Sequence, residues 1–354
     1  MSAPGDQSPA PVSPILTLPE EHWGGINDVA VFAGGARAVT AAIDGTLKVW
    51  DLEVGKVVRT LSGHSMSVAR AIPFDRERKV LSVSVDHTIR IWDLEKGKLL
   101  QTLRGHTGEV SDAILFAKEK RVLSISDDKT MRTWSLEDGA PLQTFRGHTR
   151  RLHTAVIDDR ERRILSASFF GSLKVWDLET GLLLHTLSDQ YDATSFEMMP
   201  GPLFAGGQRA LTGCASDPWL LVWDLESGKI VQTIDHDSVS LTTAVIYDQE
   251  RRVLVAHAHQ MTAFDLVEGK PLFDCKGHRG FVRHAILYAG ERRVLTSSDD
   301  HTLKVWDMEN GHLLHSLEGH TDYIRKVRIY ERGRRAISAS SDCTLRIWDL
   351  AALE

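Results

Sequence analysis

Cysteine is scarce. Cys214, Cys275 and Cys343 are the three in 354 residues, far apart and without the short spacing of a metal knuckle or a redox pair. A disulfide framework is therefore excluded, and the three read as small apolar fillers of strands in a reducing, cytoplasmic setting. Positive charge is not in excess either. The formal net charge of -6 argues against a surface built throughout for nucleic acid or anionic membrane, so no direct nucleic-acid partner is expected. Nowhere is there an apolar run long enough to cross a bilayer, and the opening MSAPGDQSPAPVSP has neither the basic nor the apolar part of a secretory leader. Neither secretion nor membrane insertion is expected. A phosphate-binding glycine loop, a dinucleotide fingerprint and a metalloprotease motif are all missing, so no cofactor is expected. His257 and His259 could share one strand face, but no further ligand sits at a convincing spacing and no metal site is expected.

What the chain does have is a core-forming composition and a repeat. Hydrophobic residues make up 42% and charged residues 25%, enough apolar material for a large core. Aromatic-acid pairs stand at Trp50-Asp51, Trp92-Asp93, Trp176-Asp177, Trp223-Asp224, Phe264-Asp265, Trp306-Asp307 and Trp348-Asp349, with Trp134-Ser135 in phase. Successive aromatics are 42, 42, 42, 47, 41, 42 and 42 residues apart, the period of a four-stranded sheet unit. Between them, strand-length apolar segments alternate with turn residues, and no helical period is sustained. One such sheet cannot bury both its faces, so the units must stack around a ring.

The repeat resembles the WD40 family over about residues 14 to 354. The resemblance implies an all-β, eight-bladed propeller of four-stranded antiparallel blades. It also implies a hydrogen-bonded tetrad in each blade: a His after Gly, a Ser or Thr in the second strand, an Asp in the next turn and a Trp in the third strand. His64, Ser84, Asp86 and Trp92 match it by position, as do His106, Ser126, Asp128 and Trp134. His278, Ser298, Asp300 and Trp306 match again, and so do His320, Ser340, Asp342 and Trp348. Recurrence of the His, Ser and Asp beside a Trp argues for a structural role and against a hydrolase triad. Repeat one carries Ala42 where the hydroxyl is expected, and repeat four carries Phe170 in place of the Asp, with His148 and Ser168 kept. Repeat five has Gln190 and Ala215, and repeat six keeps His236 but has Ala256, Ala258 and Phe264. Repeats four to six are thus either tolerant of apolar repacking or remodelled into a site. The segment from Tyr191 to Gly207, about five residues longer than its counterparts, is a candidate contact loop.

Few residues follow Leu350, too few for a fourth strand, whereas Pro14 to His22 aligns with His312 to His320. The N-terminal strand is therefore expected to pair with the C-terminal blade and close the ring. Residues 1–13 are expected to be a disordered tail and residues 14–354 a single propeller. Turns between first and second strands carry pairs such as Arg76 and Arg78, Lys118 and Lys120, Arg292 and Arg293, and Arg332 and Arg334, which predicts a basic inner ring. Glu53, Glu95, Glu137 and their counterparts predict an acidic outer ring on the same face.

WD40 proteins commonly bind peptides and domains at the opposite rim, around the channel entrance. Carried over by position, the resemblance nominates Trp23, Arg151, Phe169, Tyr191, His257, Arg279, Phe281 and Tyr323 as protein-binding residues. Aromatic and Arg side chains dominate this set, as they dominate interface energetics. The implied function is a non-catalytic scaffold or recognition module for protein or peptide partners, a monomer in isolation. The alternatives are a sensor propeller acting with a signalling enzyme, and a propeller enzyme using the central channel.

Overall fold

In the computed structural model, residues 9–158, 160–169, 173–187, 198–214, 219–235 and 241–353 are described. Strand follows strand, and each group of four forms one antiparallel sheet, giving eight blades around a channel. Blade 2 shows the pattern. Its innermost strand is Val68–Phe74, followed outward by Lys79–Ser84, Ile89–Asp93 and Lys98–Leu103. The hairpin arrangement places the first-to-second and third-to-fourth turns on one face. The second-to-third turns and the loops between blades lie on the other, the rim face.

Blade 8 is completed from the far end of the chain. Leu16–Leu18 pairs antiparallel with Leu345–Asp349, Leu18 opposite Leu345 and Leu16 opposite Ile347, as the repeat alignment predicts. Two residues of the expected tail, residues 1–13, are paired instead. Pro11–Val12 runs parallel to the outermost strand of blade 7, Leu313–Leu317, with Pro11 opposite Ser316 and Val12 opposite Leu317. That edge offers unpaired backbone groups beside the path into blade 8, and the Glu318 N–H donates to the Val12 carbonyl at 3.0 Å. Residues 1–8 lie outside the described residues.

Alternating apolar side chains fill the spaces between blades. Trp92 of blade 2 packs against Val39, Val49 and Leu61 of blade 1, and the seven other interfaces repeat this arrangement with their own third-strand aromatic. The closing interface is built the same way, with Trp50, Ile26 and Val29 of blade 1 against Ile337, Leu345 and Ile347 of blade 8. Glycine before the His has a steric reason. At Gly105, with φ +154°, a Cβ would stand 3.1 Å from Trp134 Cη2.

Candidate functional site

The tetrads come first because they mimic catalysis. In blade 2, Asp86 Oδ2 and His64 Nδ1 are 2.7 Å apart, His64 Nε2 and Ser82 Oγ are 2.7 Å apart, and Trp92 Nε1 donates to Ser82 Oγ at 2.8 Å. The hydroxyl is therefore Ser82 and not Ser84, two positions from the expected residue, and the same correction replaces Ser126 by Ser124, Ser298 by Thr296 and Ser340 by Ser338. Side chains alternate across a strand, so residues two apart share a face, and the inner of the two reaches the Trp. Ser84 serves the turn instead, accepting from the Asp86 N–H at 3.0 Å and donating to the Ser67 carbonyl at 2.8 Å. Repeat one is complete as well, since Thr40 and not the position of Ala42 bonds His22 and Trp50. Thr88 adds a bond to Asp86 that the sequence reading missed, as Thr46, Thr130, Thr302 and Thr344 do for their own aspartates.

Chemically, the order Trp–hydroxyl–His–Asp satisfies every polar atom in turn. Burial raises the Asp86 carboxyl, but hydrogen bonds from Thr88 and His64 outweigh it and hold the group at about 2. Burial also lowers the His64 imidazole, against the pull of Asp86. Ser82 is fully buried and its oxygen accepts from the indole, so it offers no exposed nucleophile.

Blades 4 to 6 depart from this. In blade 4, His148 Nε2 meets Ser166 Oγ at 2.7 Å, again two positions before the expected Ser168, and Trp176 bonds the same oxygen. Among the described residues the buried His148 Nδ1 has no partner, and burial followed by the nearby Lys174 lowers this imidazole to about 4. Blade 5 keeps Trp223 Nε1 donating to Thr212 Oγ1 at 2.8 Å. Blade 6 has Phe264, with no donor, and a different chain in which His257 Nε2 meets Thr262 Oγ1 at 2.9 Å and Thr262 donates to Asp274. Phe170, Gln190, Tyr191, Ala215 and His236 lie outside the described residues.

On the rim, Tyr323 lines a cavity, Phe169 and Phe281 pack beside two other side chains of its lining, His153 and Arg283, and Arg151 stacks on Phe169. Arg151 stacks over the Phe169 ring at 4.2 Å, Phe169 meets the edge of His153 at 4.6 Å, and Asp127 lies 3.7 Å from Arg151. Across the mouth, Phe281 is half-exposed with Arg283 5.5 Å from its ring, and Tyr323 is half-exposed against His301. Tyr323, His153 and Arg283 line the same cavity of about 740 Å³ at the channel entrance. Trp23, 80% exposed, and the exposed Arg279 lie outside its lining.

His257 does not belong to the rim. Its turn has two residues, Ala258 and His259, where blade 2 has four, so the ladder continues to His257 opposite Gln260 and buries the imidazole. Phe204, from the candidate contact loop, is likewise buried between blades 5 and 6. Sequence reasoning also missed His153, Arg283, Arg325 and Lys326. The available signal was positional, because the counterparts of His153, Arg283 and Arg325 at the second position of innermost strands are Asn27, Ala69, Ser111 and Thr242.

On the opposite face the basic inner ring is not simply basic. Each of five turns carries a glutamate that accepts a backbone N–H from the preceding blade: Glu77 from Ala33, Glu119 from Asp75, Glu161 from Ala117, Glu250 from Ala205 and Glu291 from Asp248. Several cations are also occupied locally, with Arg78 on Asp75 and Arg292 on the Ala289 carbonyl.

The WD40 family description, "WD domain, G-beta repeat", matches residues 13–51, 55–93, 97–135, 269–307 and 311–349, together more than half of the chain. The chain belongs to the WD40 family. The matched segments are those whose WD40 tetrads are complete, ending in blades 1, 2, 3, 7 and 8. Denticleless protein homologs of Homo sapiens and Mus musculus are each 35% identical over 60 residues, 17% of this chain. The match spans only 8% of those relatives' length. Among solved structures, the computationally designed Ika8 protein superposes with a TM-score of 0.79 at 24% identity, covering 96% of this chain and 99% of that one, a likeness of fold. WD40 propellers are in general interaction scaffolds and not enzymes.

Proposed function

We propose that the rim around Arg151, Phe169, Phe281 and Tyr323 docks a protein or peptide partner, and that the chain works as a non-catalytic recognition scaffold in the cytoplasm. The supporting observation is the set of aromatic and Arg side chains at one rim, with Tyr323 lining a cavity of about 740 Å³ and Phe169 and Phe281 packed on His153 and Arg283 of the same lining. Rigid rings and planar guanidinium groups give large contact area for little lost freedom, which suits them as interface anchors. The interspersed glutamates of the inner ring and the buried state of the tetrad hydroxyls support the rim over the opposite face and over catalysis.

Affinity capture followed by mass spectrometry, with single alanine variants at the four anchors, tests the proposal. Each side chain is at least partly exposed, so melting temperatures should stay near that of the parent chain. Loss of a true anchor should cost about 2 kcal/mol in binding, roughly a 30-fold drop in affinity. Undiminished capture by all four variants would refute the proposal.

A further inference from the structure

The channel wall is not symmetric in charge. At the third position of the innermost strands stand Asp28, Arg70 and Asp112 in blades 1 to 3, Thr243 and His284 in blades 6 and 7, and Lys326 in blade 8. The blades 1-to-3 side is internally paired. Arg70 contacts Asp112 directly and lies 3.6 Å from Asp28, while Arg328 reaches Asp28 from the other side, also at 3.6 Å. Two cations thus meet two carboxylates, and Lys326 is the further cation at this third strand position among the described residues. Among the described residues, Lys326 has neither a hydrogen bond nor an ion pair within reach.

Lys326 lines the mouth cavity with Arg283 and Arg325. Arg283 holds Asp299, its Nε donating to Oδ1 at 2.9 Å, and Arg325 spends its Nε on Ser341 Oγ at 2.7 Å. Among the described residues, three cations therefore surround a cavity with one carboxylate, an excess of two positive charges. The neighbouring imidazole responds to that field. Burial, then Lys326, Arg328 and Arg283, lowers His284 to about 3, so it stays neutral and adds no charge of its own. Burial, then the adjacent Arg328, lowers Lys326 against the longer-range pull of Asp28 and Asp112. Tyr323, Thr154 and Thr242 bring hydroxyl groups to the same lining.

We infer that this cavity binds a phosphate group. A doubly charged phosphate monoester matches the excess charge, and its oxygens can take guanidinium, ammonium and hydroxyl donors together. A volume of about 740 Å³ holds the group with part of whatever carries it. Asp299 is compatible with this because it is already engaged by Arg283, which it holds at the cavity wall. The inference deepens the docking reading of the rim, because the phosphate can arrive on a small molecule or on the docked chain.

Calorimetric titration of the full chain with inorganic pyrophosphate at low ionic strength, against chloride of equal ionic strength, is the test. One saturable site is expected, weakened at least tenfold by Lys326→Met and by Arg325→Gln and unchanged by Arg334→Gln on the other face. A parallel titration with a phosphoserine pentapeptide and its serine twin assigns the source. Binding of pyrophosphate alone points to a free ligand, and binding of the phosphopeptide alone points to a chain-borne one. Should either cavity variant fail to fold, imidazole NMR of the parent chain serves instead, with pyrophosphate shifting His153 and His284 but not His312. No saturable heat from any phosphate probe, or undiminished binding by folded variants, overturns the inference. Partner capture through Phe281 and Tyr323 would be unaffected by that failure, and its own failure alongside intact pyrophosphate binding would remove only the docking reading.

Discussion

Blades 1, 2, 3, 7 and 8 carry the whole tetrad, whereas blades 4, 5 and 6 carry part of it or none, yet a buried apolar cluster fills the space between blades in both groups. Phe264 fills the place of a tryptophan with 1% exposure, as Trp92 does. Packing therefore builds the ring, and the tetrad does something narrower. It ties the loop bearing the His to the turn bearing the Asp, with the Trp as anchor, and thereby fixes the rim backbone of that blade. Where the tryptophan becomes phenylalanine, the N–H that needed the hydroxyl disappears with it. Blade 6 can then lose the hydroxyl partner of the third-strand aromatic without leaving an indole N–H unmet. Blade 4 shows the intermediate case, keeping the Trp and hydroxyl while His148 Nδ1 has no partner among the described residues.

The comparison would break first at closure. Blade 8 owns a full tetrad but borrows its outermost strand, including the fully buried Leu18, from the other end of the chain. Removing residues 1–18 should destabilise the fold by more than about 4 kcal/mol, by exposing the apolar edge that Leu18 covers and freeing a sheet edge. Differential scanning calorimetry with size-exclusion chromatography reads both the lower melting temperature and the association. An unchanged melt would show that the tetrad alone holds blade 8.

Next in size is the tetrad itself. Asp86→Ala removes the partner of the buried His64 Nδ1 and two bonds to Thr88, and should cost about 3 kcal/mol in chemical denaturation. The equivalent position of blade 4 already lacks a carboxylate, so the comparison predicts that His148→Asn costs far less than His64→Asn. Equal costs would mean that the tetrad blades gain nothing from the aspartate.

Acid separates the two groups further. The folded value of His148, about 4, lies below its unfolded value of 6.5, so the unfolded chain takes up the proton first as pH falls. Its contribution to stability is whole above pH 6.5 and is lost as pH falls toward 4, about 2 kcal/mol of it between pH 7 and pH 5. Asp86, held at about 2, acts in the same direction but lower, from about pH 4 downward. Stability against pH should therefore fall less steeply between 7 and 5 in His148→Asn than in the parent chain, while the other buried imidazoles, His284 among them, keep the rest of the slope. An unchanged slope in His148→Asn would place the proton uptake elsewhere.

Blade number, strand order and ring closure were legible in the sequence because the aromatic-acid pairs repeat at nearly constant spacing and Pro14 to His22 falls in phase with them. The identity of the hydroxyl was not. Ser82 and Ser84 point to the same face of one strand, and only the reach of the indole distinguishes them. His257 was misplaced for a related reason, since a position counted from the Asp assumes a turn of constant length and blade 6 shortens it. The rim anchors could be nominated by phase, but the cations behind them could not. A repeat search weighs what recurs, and Arg283, Arg325 and Lys326 are informative because they do not.

The smallest predicted effect concerns the other face, where the seams divide differently from the tetrads. Glutamate latches join blades 1–2, 2–3, 3–4, 5–6 and 6–7, while the corresponding turn positions at the seams 8–1, 4–5 and 7–8 hold Gly35, Gly207 and Gly333. Each latch is one exposed hydrogen bond from a backbone N–H to a carboxylate, so Glu119→Ala should cost about 1 kcal/mol or less. Hydrogen exchange of the Asp75 amide, which Glu119 accepts at 2.7 Å, should accelerate in the variant while the amide of Ala33, latched by Glu77, stays unchanged. If the Asp75 amide exchanges at its original rate, the latch contributes nothing in solution. The two halves of the ring would then differ in their tetrads alone.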